Sequence, residues 1–496
     1  MLFNSYPFFF GFLPLALAGF YLLRWVAPGA VIGWLLVVSL GFYGYWNALS
    51  VPLLLGSIAV NYGLGLSFSN NAGGRTLKLI AGLVFNLSII GYFKYASFVA
   101  MNLTALTGWP VALQVTLPLA ISFFTFQQIA YLVDCYRGQP PERNFIHYAF
   151  FIAFFPHLIA GPIVLKNDLL SQLPNHREPH TPEWWFQHVA CGTAMFAFGL
   201  LKKVMIADSV AGYATDVFGA AEKGAPLSVI EAWGGAVAYT LQIYFDFSGY
   251  SDMAIGLALL FGFRLPLNFD SPYKATSIID FWRRWHMTLS RFLREYLYLP
   301  LGGNRRHPAR RYLNILIVMV LGGLWHGAGW TFVLWGALHG VFLMVNHLWR
   351  GLFGDRRQVM PGPVAHILSW AATFVAVVVA WVLFRAKTVD GAAMMLKAMA
   401  WGNAWTVDRG GAQGEGYQVL LFLAGLVVVC IMLPNTQQVM KAALSGFLVP
   451  RLPENPLLAR LAWSPNLFWA LTISALLYVS VSFMGSRYSE FIYFNF

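Results

Sequence analysis

Two histidines forty positions apart offer this chain its best chance of doing chemistry. His326 stands in the run Gly322-Gly323-Leu324-Trp325-His326-Gly327-Ala328-Gly329-Trp330, near the middle of an apolar stretch from 312 to 348. His286 closes the run Trp282-Arg283-Arg284-Trp285-His286. An ionisable side chain at membrane depth is costly and marks a functional site by default. The four glycines around His326 let a ligand or another helix approach the backbone, and they weaken the helix locally, which is tolerable only beside a cavity or buried protein. Among apolar neighbours the neutral imidazole is the favoured form, and it is the form that accepts a proton. His326 is therefore expected to act as general base toward an acceptor hydroxyl if the two rings meet in one tunnel. His286 would then orient a donor or stabilise an oxyanion, together with backbone N–H groups near Gly327.

Other polar residues inside apolar runs carry weaker expectations. Asp246 and Asp252, in the segment 244–252, are six positions apart. On a helix they point about 120° away from each other, which argues against a shared dyad. They would orient a histidine or arginine at the tunnel wall or, by a slight preference, bond between helices. His157 lies in Phe154-Phe155-Pro156-His157-Leu158-Ile159-Ala160-Gly161-Pro162, a Pro/Gly-interrupted span of the kind that often lines cavities, and binding and packing roles weigh evenly there. On a continuous helix, His339 would face nearly the opposite side from His326, which predicts a packing residue. His147, His176, His180, His188, His307, His347 and His366 fall in loops or at span ends. Cys135, Cys191 and Cys430 are scattered singly, without zinc-site or disulfide spacing, so no metal is expected. Motifs of metalloproteases, P-loop nucleotidases, dinucleotide-binding enzymes and α/β-hydrolases are absent.

The elements that must hold these residues are membrane helices. Of the 496 residues, 58% are hydrophobic and 10% are charged, a composition that excludes an ordinary soluble enzyme. Apolar runs at 8–27, 30–48, 50–68, 79–101, 115–135, 145–165, 187–207, 229–262, 312–348, 364–384, 417–433 and 466–484 predict about 10–12 transmembrane helices, at ~20 residues per crossing. The runs 229–262 and 312–348 exceed one simple span, which predicts tilted, broken or re-entrant elements. From 278 to 294 the spacing of Phe281, Trp282, Trp285, Leu289 and Phe292 predicts an amphipathic interfacial helix, with Ser277 or Asp280 as N-cap and His286 on its flank. Basic residues at 283–311 and 350–357 flank the His326 segment, so it is expected to leave and return to one face. The net charge of +12 fits lysine and arginine kept in cytoplasmic loops. Lipid headgroups or an anionic cofactor explain the basic stretch better than nucleic acid does. The N-terminus lacks the features of a removable signal peptide, and one membrane domain over 1–496 is the simplest organisation.

Taken together, the stretches 155–163, 244–252, 262–273, 280–303, 322–335 and 489–496 resemble the membrane-bound O-acyltransferase (MBOAT) family, in its bacterial alginate-type polysaccharide O-acetyltransferase branch. The signature core runs from about 150 to 340. The resemblance implies an all-α polytopic membrane protein, a helical funnel with re-entrant and interfacial helices, in which His326 corresponds to the family's membrane histidine and His286 to its second active-site position. It implies an inner-membrane enzyme with acetyl-CoA as donor and no tightly bound cofactor, and a polysaccharide acceptor outside, reached with a separate periplasmic acetyltransferase. Trp282, Arg283, Arg284, Trp285, Trp325, Gly327, Asp246, Asp252 and His157 are its donor- or substrate-binding candidates, with the basic stretch positioned for the donor's phosphates. Leu267 stands where many relatives carry an acidic residue. Two alternatives stay open: D-alanyl transfer to teichoic acid from a carrier-protein thioester, and a polymer or solute transporter in which the histidines relay protons, against which the lack of two similar halves argues.

Overall fold

A computed structural model describes the chain apart from residues 70–73, 112, 114, 174–180, 306, 355–361, 403–414, 445–460, 486–490 and 493–496. His176, His180, the basic positions 356–357 and most of the 489–496 stretch lie outside the described residues. Among the described residues every regular element is helical, and the protein is an all-α polytopic membrane protein. Seven helical stretches are long and apolar enough to cross a bilayer: Pro7–Val26, Pro28–Trp46, Ser50–Ser67, Arg75–Thr107, Pro182–Glu222, Trp330–Phe353 and Gly362–Arg385. Tyr417–Met432 and Leu467–Phe483 are apolar but shorter.

The other apolar runs are largely buried within the protein. The run 115–135 yields only Ile121–Tyr136, buried on most of its surface. The run 145–165 breaks at Phe154, whose ψ of 112° ends one helix, Phe145–Ala153, before a single turn, Phe155–Leu158, begins with Pro156 in its first turn. Proline is tolerated there because the first N–H groups of a helix have no intrahelical partner. The run 229–262 is neither broken nor re-entrant. It forms one helix of 32 residues, Val229–Leu260, started by a capping box between Ser228 and Glu231 and buried at every position from 238 to 260. Small residues let Pro182–Leu201 lie directly against it: a Cβ on Gly199 would come within 2.5 Å of the Gly249 carbonyl oxygen.

The His326 stretch is two helices, Pro308–His326 and Trp330–Phe353, folded back on each other at Gly327–Gly329. Gly323 and Gly336 make the close pairing possible. A Cβ on Gly323 would lie 2.2 Å from the Phe332 carbonyl oxygen, and one on Gly336 would lie 2.3 Å from that of Met319. These glycines thus serve helix-to-helix contact, not the approach of a ligand. At the open end Arg311 Nη2 lies 2.6 Å from His347 Nδ1, so both ends emerge on one basic face, ~28 Å below the tip for a 19-residue helix.

The expected interfacial helix is not continuous, and its apolar face packs against protein. It consists of Ile278–Arg284, capped by Ser277, and Met287–Leu293, and Phe281, Trp285, Leu289 and Phe292 along it are all buried. The break falls on His286, which adopts φ 42° and ψ 55°, a left-handed conformation that costs a non-glycine residue about 1–2 kcal/mol. The extended segment before it supplies the compensating bonds: Asp270 N donates to Arg284 O at 2.9 Å, and Met287 N to Asn268 O at 2.9 Å.

Candidate active site

At the hairpin tip the two histidines meet. The rings of His286 and His326 are 6.4 Å apart, centroid to centroid, and both side chains are buried, at 0% and 2% exposure. His326 ends its helix among Trp325, Trp335 and Phe384, at 4.9, 5.2 and 5.1 Å. The His286 ring stands edge-on to Phe247 at 4.8 Å and lies 6.0 Å from Trp325.

Asn268, which the sequence does not single out, holds His286. Its Oδ1 lies 3.0 Å from His286 Nδ1 and accepts from Thr288 Oγ1 at 2.9 Å, while its Nδ2 donates to Ser251 Oγ at 3.2 Å. Thr288 Oγ1 in turn accepts from Ile163 N at 2.9 Å. A carbonyl oxygen only accepts, so Nδ1 of the neutral ring carries the hydrogen and Nε2 is its accepting nitrogen. This tautomer corrects the oxyanion role: a neutral His286 has no N–H to give an oxyanion from Nε2. Gly327 does not supply one either, because its N–H is directed to Gly323 O at 3.3 Å. Asn268→Leu is expected to slow turnover about 10–100-fold, the range seen when a partner that orients a metal-bound imidazole is removed. Initial rates on membranes carrying equal amounts of protein check this, and an unchanged rate would mean the ring is oriented by other contacts.

The remaining candidates divide between the site and its supports. Trp325 belongs to the site, donating from Nε1 to Ser122 O at 3.3 Å and lining a cavity of about 70 Å³ together with His326, Lys94 and Ser122. Trp282 lines a cavity of about 260 Å³ near the basic face with Ser290, Arg294, Arg311, Met319 and His347. Its Nε1 donates to His339 Nδ1 at 3.3 Å. His339 is a buried packing residue, on the returning helix and not on a continuation of the His326 helix. Arg283 is exposed, and Arg284 is committed to Asp280 at 3.0 Å. Trp285 is packed between Phe269 and Trp381, at 5.0 and 4.9 Å. His157 is buried with its Nδ1 3.3 Å from Gln127 Nε2.

Asp246 and Asp252 pair with lysine, not with histidine or arginine. Asp252 Oδ2 meets Lys202 Nζ at 2.6 Å and its Oδ1 accepts from Gln437 Nε2 at 2.8 Å. Lys203 Nζ lies 2.8 Å from Asp246 Oδ1 and 2.7 Å from Asp208 Oδ1, and Asp246 Oδ2 accepts from Ile492 N at 2.9 Å. These bonds tie helices together and place both carboxylates among the supports of the fold.

A third cavity, about 550 Å³, lies across the tip from the first and is lined by Gly329, Thr215, Tyr239, Gln242, Phe384 and Arg385. Tyr239 Oη and Gln242 Oε1 have no hydrogen-bond partner among the described residues. The histidine pair thus stands between a cavity at the basic face and cavities at the tip. No cluster of metal-binding side chains occurs among the described residues.

The model of the membrane-bound O-acyltransferase family matches residues 142–385. The chain is 38% identical over 541 aligned positions to a peptidoglycan O-acetyltransferase of Helicobacter pylori, covering 100% of this chain and 98% of that protein. It is 42% identical over 443 positions to a probable alginate O-acetylase of Azotobacter vinelandii, covering 87% and 84%. A teichoic acid D-alanyltransferase of Streptococcus thermophilus is more distant, 26% identical over 47% of this chain and 57% of its own length. Likeness that spans nearly the whole chain, including the hairpin and the kinked helix that bring the histidines together, is common descent: the chain belongs to the membrane-bound O-acyltransferase family and is a membrane O-acyltransferase.

Proposed function

We propose that this enzyme transfers an acetyl group from acetyl-CoA on the cytoplasmic side of the bacterial inner membrane toward an exported polysaccharide, and that a separate periplasmic acetyltransferase completes the transfer to the polymer. The observation that carries this reading is the histidine pair, 6.4 Å apart between a cavity at the basic face and cavities at the hairpin tip. The basic-face cavity, with Arg294, Arg311 and the outer face of Trp282, suits the phosphates and adenine of the donor. His326 takes the proton of the accepting hydroxyl as its oxygen attacks the thioester carbonyl, and the departing thiolate collects a proton. His286, with Nε2 as its accepting nitrogen, orients the donor by accepting a hydrogen bond from an amide N–H of its pantetheine arm, and leaves the hydroxyl hydrogen to His326. The polysaccharide class rests on the names of the two close relatives; the D-alanyl reading rests on the distant one.

Radiolabelled acetyl-CoA supplied to the cytoplasmic face of inside-out membrane vesicles, prepared from cells that make the polymer, tests the direction and the donor. Label is expected in lumenal polysaccharide, and label that requires a carrier-protein thioester instead of acetyl-CoA would refute the donor assignment. The orientation is tested separately. Single cysteines at positions 309 and 354, which flank the open end of the hairpin, should both react with an impermeant reagent only from the cytoplasmic side, because basic loops are retained there. Reaction of either from the periplasm would reverse the path.

A further inference from the structure

The last four carbonyls of an α-helix have no partner within it. In the helix that ends on His326 all four are accounted for, three of them from another helix. Gly323 O accepts from Gly327 N at 3.3 Å. Leu324 O accepts from Tyr95 Oη at 2.6 Å, Trp325 O from Lys94 Nζ at 2.5 Å, and His326 O from Lys94 Nζ at 3.3 Å. Tyr95 and Lys94 are consecutive residues of a π-helical turn, Gly91–Tyr95, set within the Arg75–Thr107 stretch. Such turns occur often at functional sites, where the extra residue re-aims side chains. Here it buries a lysine, at 8% exposure.

A lysine inside an apolar helix is costly, and this one makes no ion pair with a carboxylate among the described residues. Its third hydrogen bond goes to Ser122 Oγ at 3.2 Å, and the carbonyl of Ser122 receives the indole N–H of Trp325 at 3.3 Å. With three donors and three acceptors, the ammonium is fully engaged by the protein and has no N–H left for a ligand. Its charge sits at the negative end of the helix dipole, the favourable position for a cation. It also lines the 70 Å³ cavity beside His326.

We propose that Lys94 is a positioning residue for acyl transfer, fixing the backbone from which His326 projects into the cavity. This rests on His326 being the general base. A catalytic group displaced by about 1 Å costs on the order of 100-fold in rate. Lys94→Met should therefore lower kcat about 10–100-fold, with the KM for acetyl-CoA within about twofold of wild type. Lys94→Arg, which retains charge and donors, should recover most of the loss.

The assay is initial-rate transfer from labelled acetyl-CoA by full-length protein in membranes, with thermal unfolding of purified protein as the control for folding. A Lys94→Met rate within twofold of wild type, a loss confined to KM, or no recovery by Lys94→Arg in a folded protein would each overturn the proposal. If Lys94→Met does not fold, Lys94→Gln is read by the same criteria, and failure of both to fold would make Lys94 a folding residue and overturn it too. Wild-type turnover by His326→Ala would instead overturn the general-base reading, a result that the Lys94 variants cannot mimic.

Discussion

Replacing His326 with alanine should slow acetyl transfer about 10²–10⁴-fold, or ~3–5 kcal/mol of barrier, because this is what a positioned general base supplies. The ring is also part of the packing at the tip, between Trp335 and Phe384, and alanine would leave a hole there. His326→Gln separates the two effects, since it keeps much of the volume but provides no base of suitable strength. Both variants should retain donor binding, because the basic-face cavity does not include His326. Initial rates and acetyl-CoA binding on the same preparations check the pair. Wild-type turnover in either variant would remove His326 from the chemistry, and loss of donor binding in both would make it a structural residue.

The second large effect concerns stability. Lys203 is buried between Asp208 and Asp246, with side-chain exposures of 2%, 3% and 1%. Removing one member of such a cluster leaves uncompensated charge and costs about 3–5 kcal/mol. Lys203→Met should therefore lower the unfolding temperature of the purified protein sharply and reduce its accumulation in membranes. The backbone N–H of Ile492, bonded to Asp246, would lose its anchor as that carboxylate rearranges. Adding Asp208→Asn and Asp246→Asn should restore much of the stability, because the cluster is then replaced without stranded charge. A single Lys203→Met variant that unfolds at the wild-type temperature would show that the cluster contributes little.

The all-α membrane architecture was legible because long apolar runs with few charges have few other readings. The fold-back of the 312–348 stretch was also legible, from its length, its glycines and its basic flanks. The break at His286 was not. Residues 278–294 carry a continuous helical pattern, and the left-handed turn is imposed by Asn268 and its neighbours, about 18 residues earlier in the chain. The lysine partners of Asp246 and Asp252 were missed for a related reason. Angular spacing along one helix places the carboxylates relative to each other and says nothing of Lys202 and Lys203 on the preceding stretch, Pro182–Glu222. Lys94 was missed as well, although a lone lysine in the apolar run 79–101 is itself a signal that a charge is retained for a purpose.

The contacts of Gly323 and Gly336 bear on motion. Each would place a Cβ about 2.2–2.3 Å from a carbonyl oxygen of the opposing helix, so the two backbones touch with no side chain between them to change rotamer. Helices joined in this way cannot slide independently. The hairpin is a stiff strut, and a displacement at its basic end, where Arg311 meets His347, is carried to the tip. The imidazole at the tip therefore changes place only when the hairpin moves as one body.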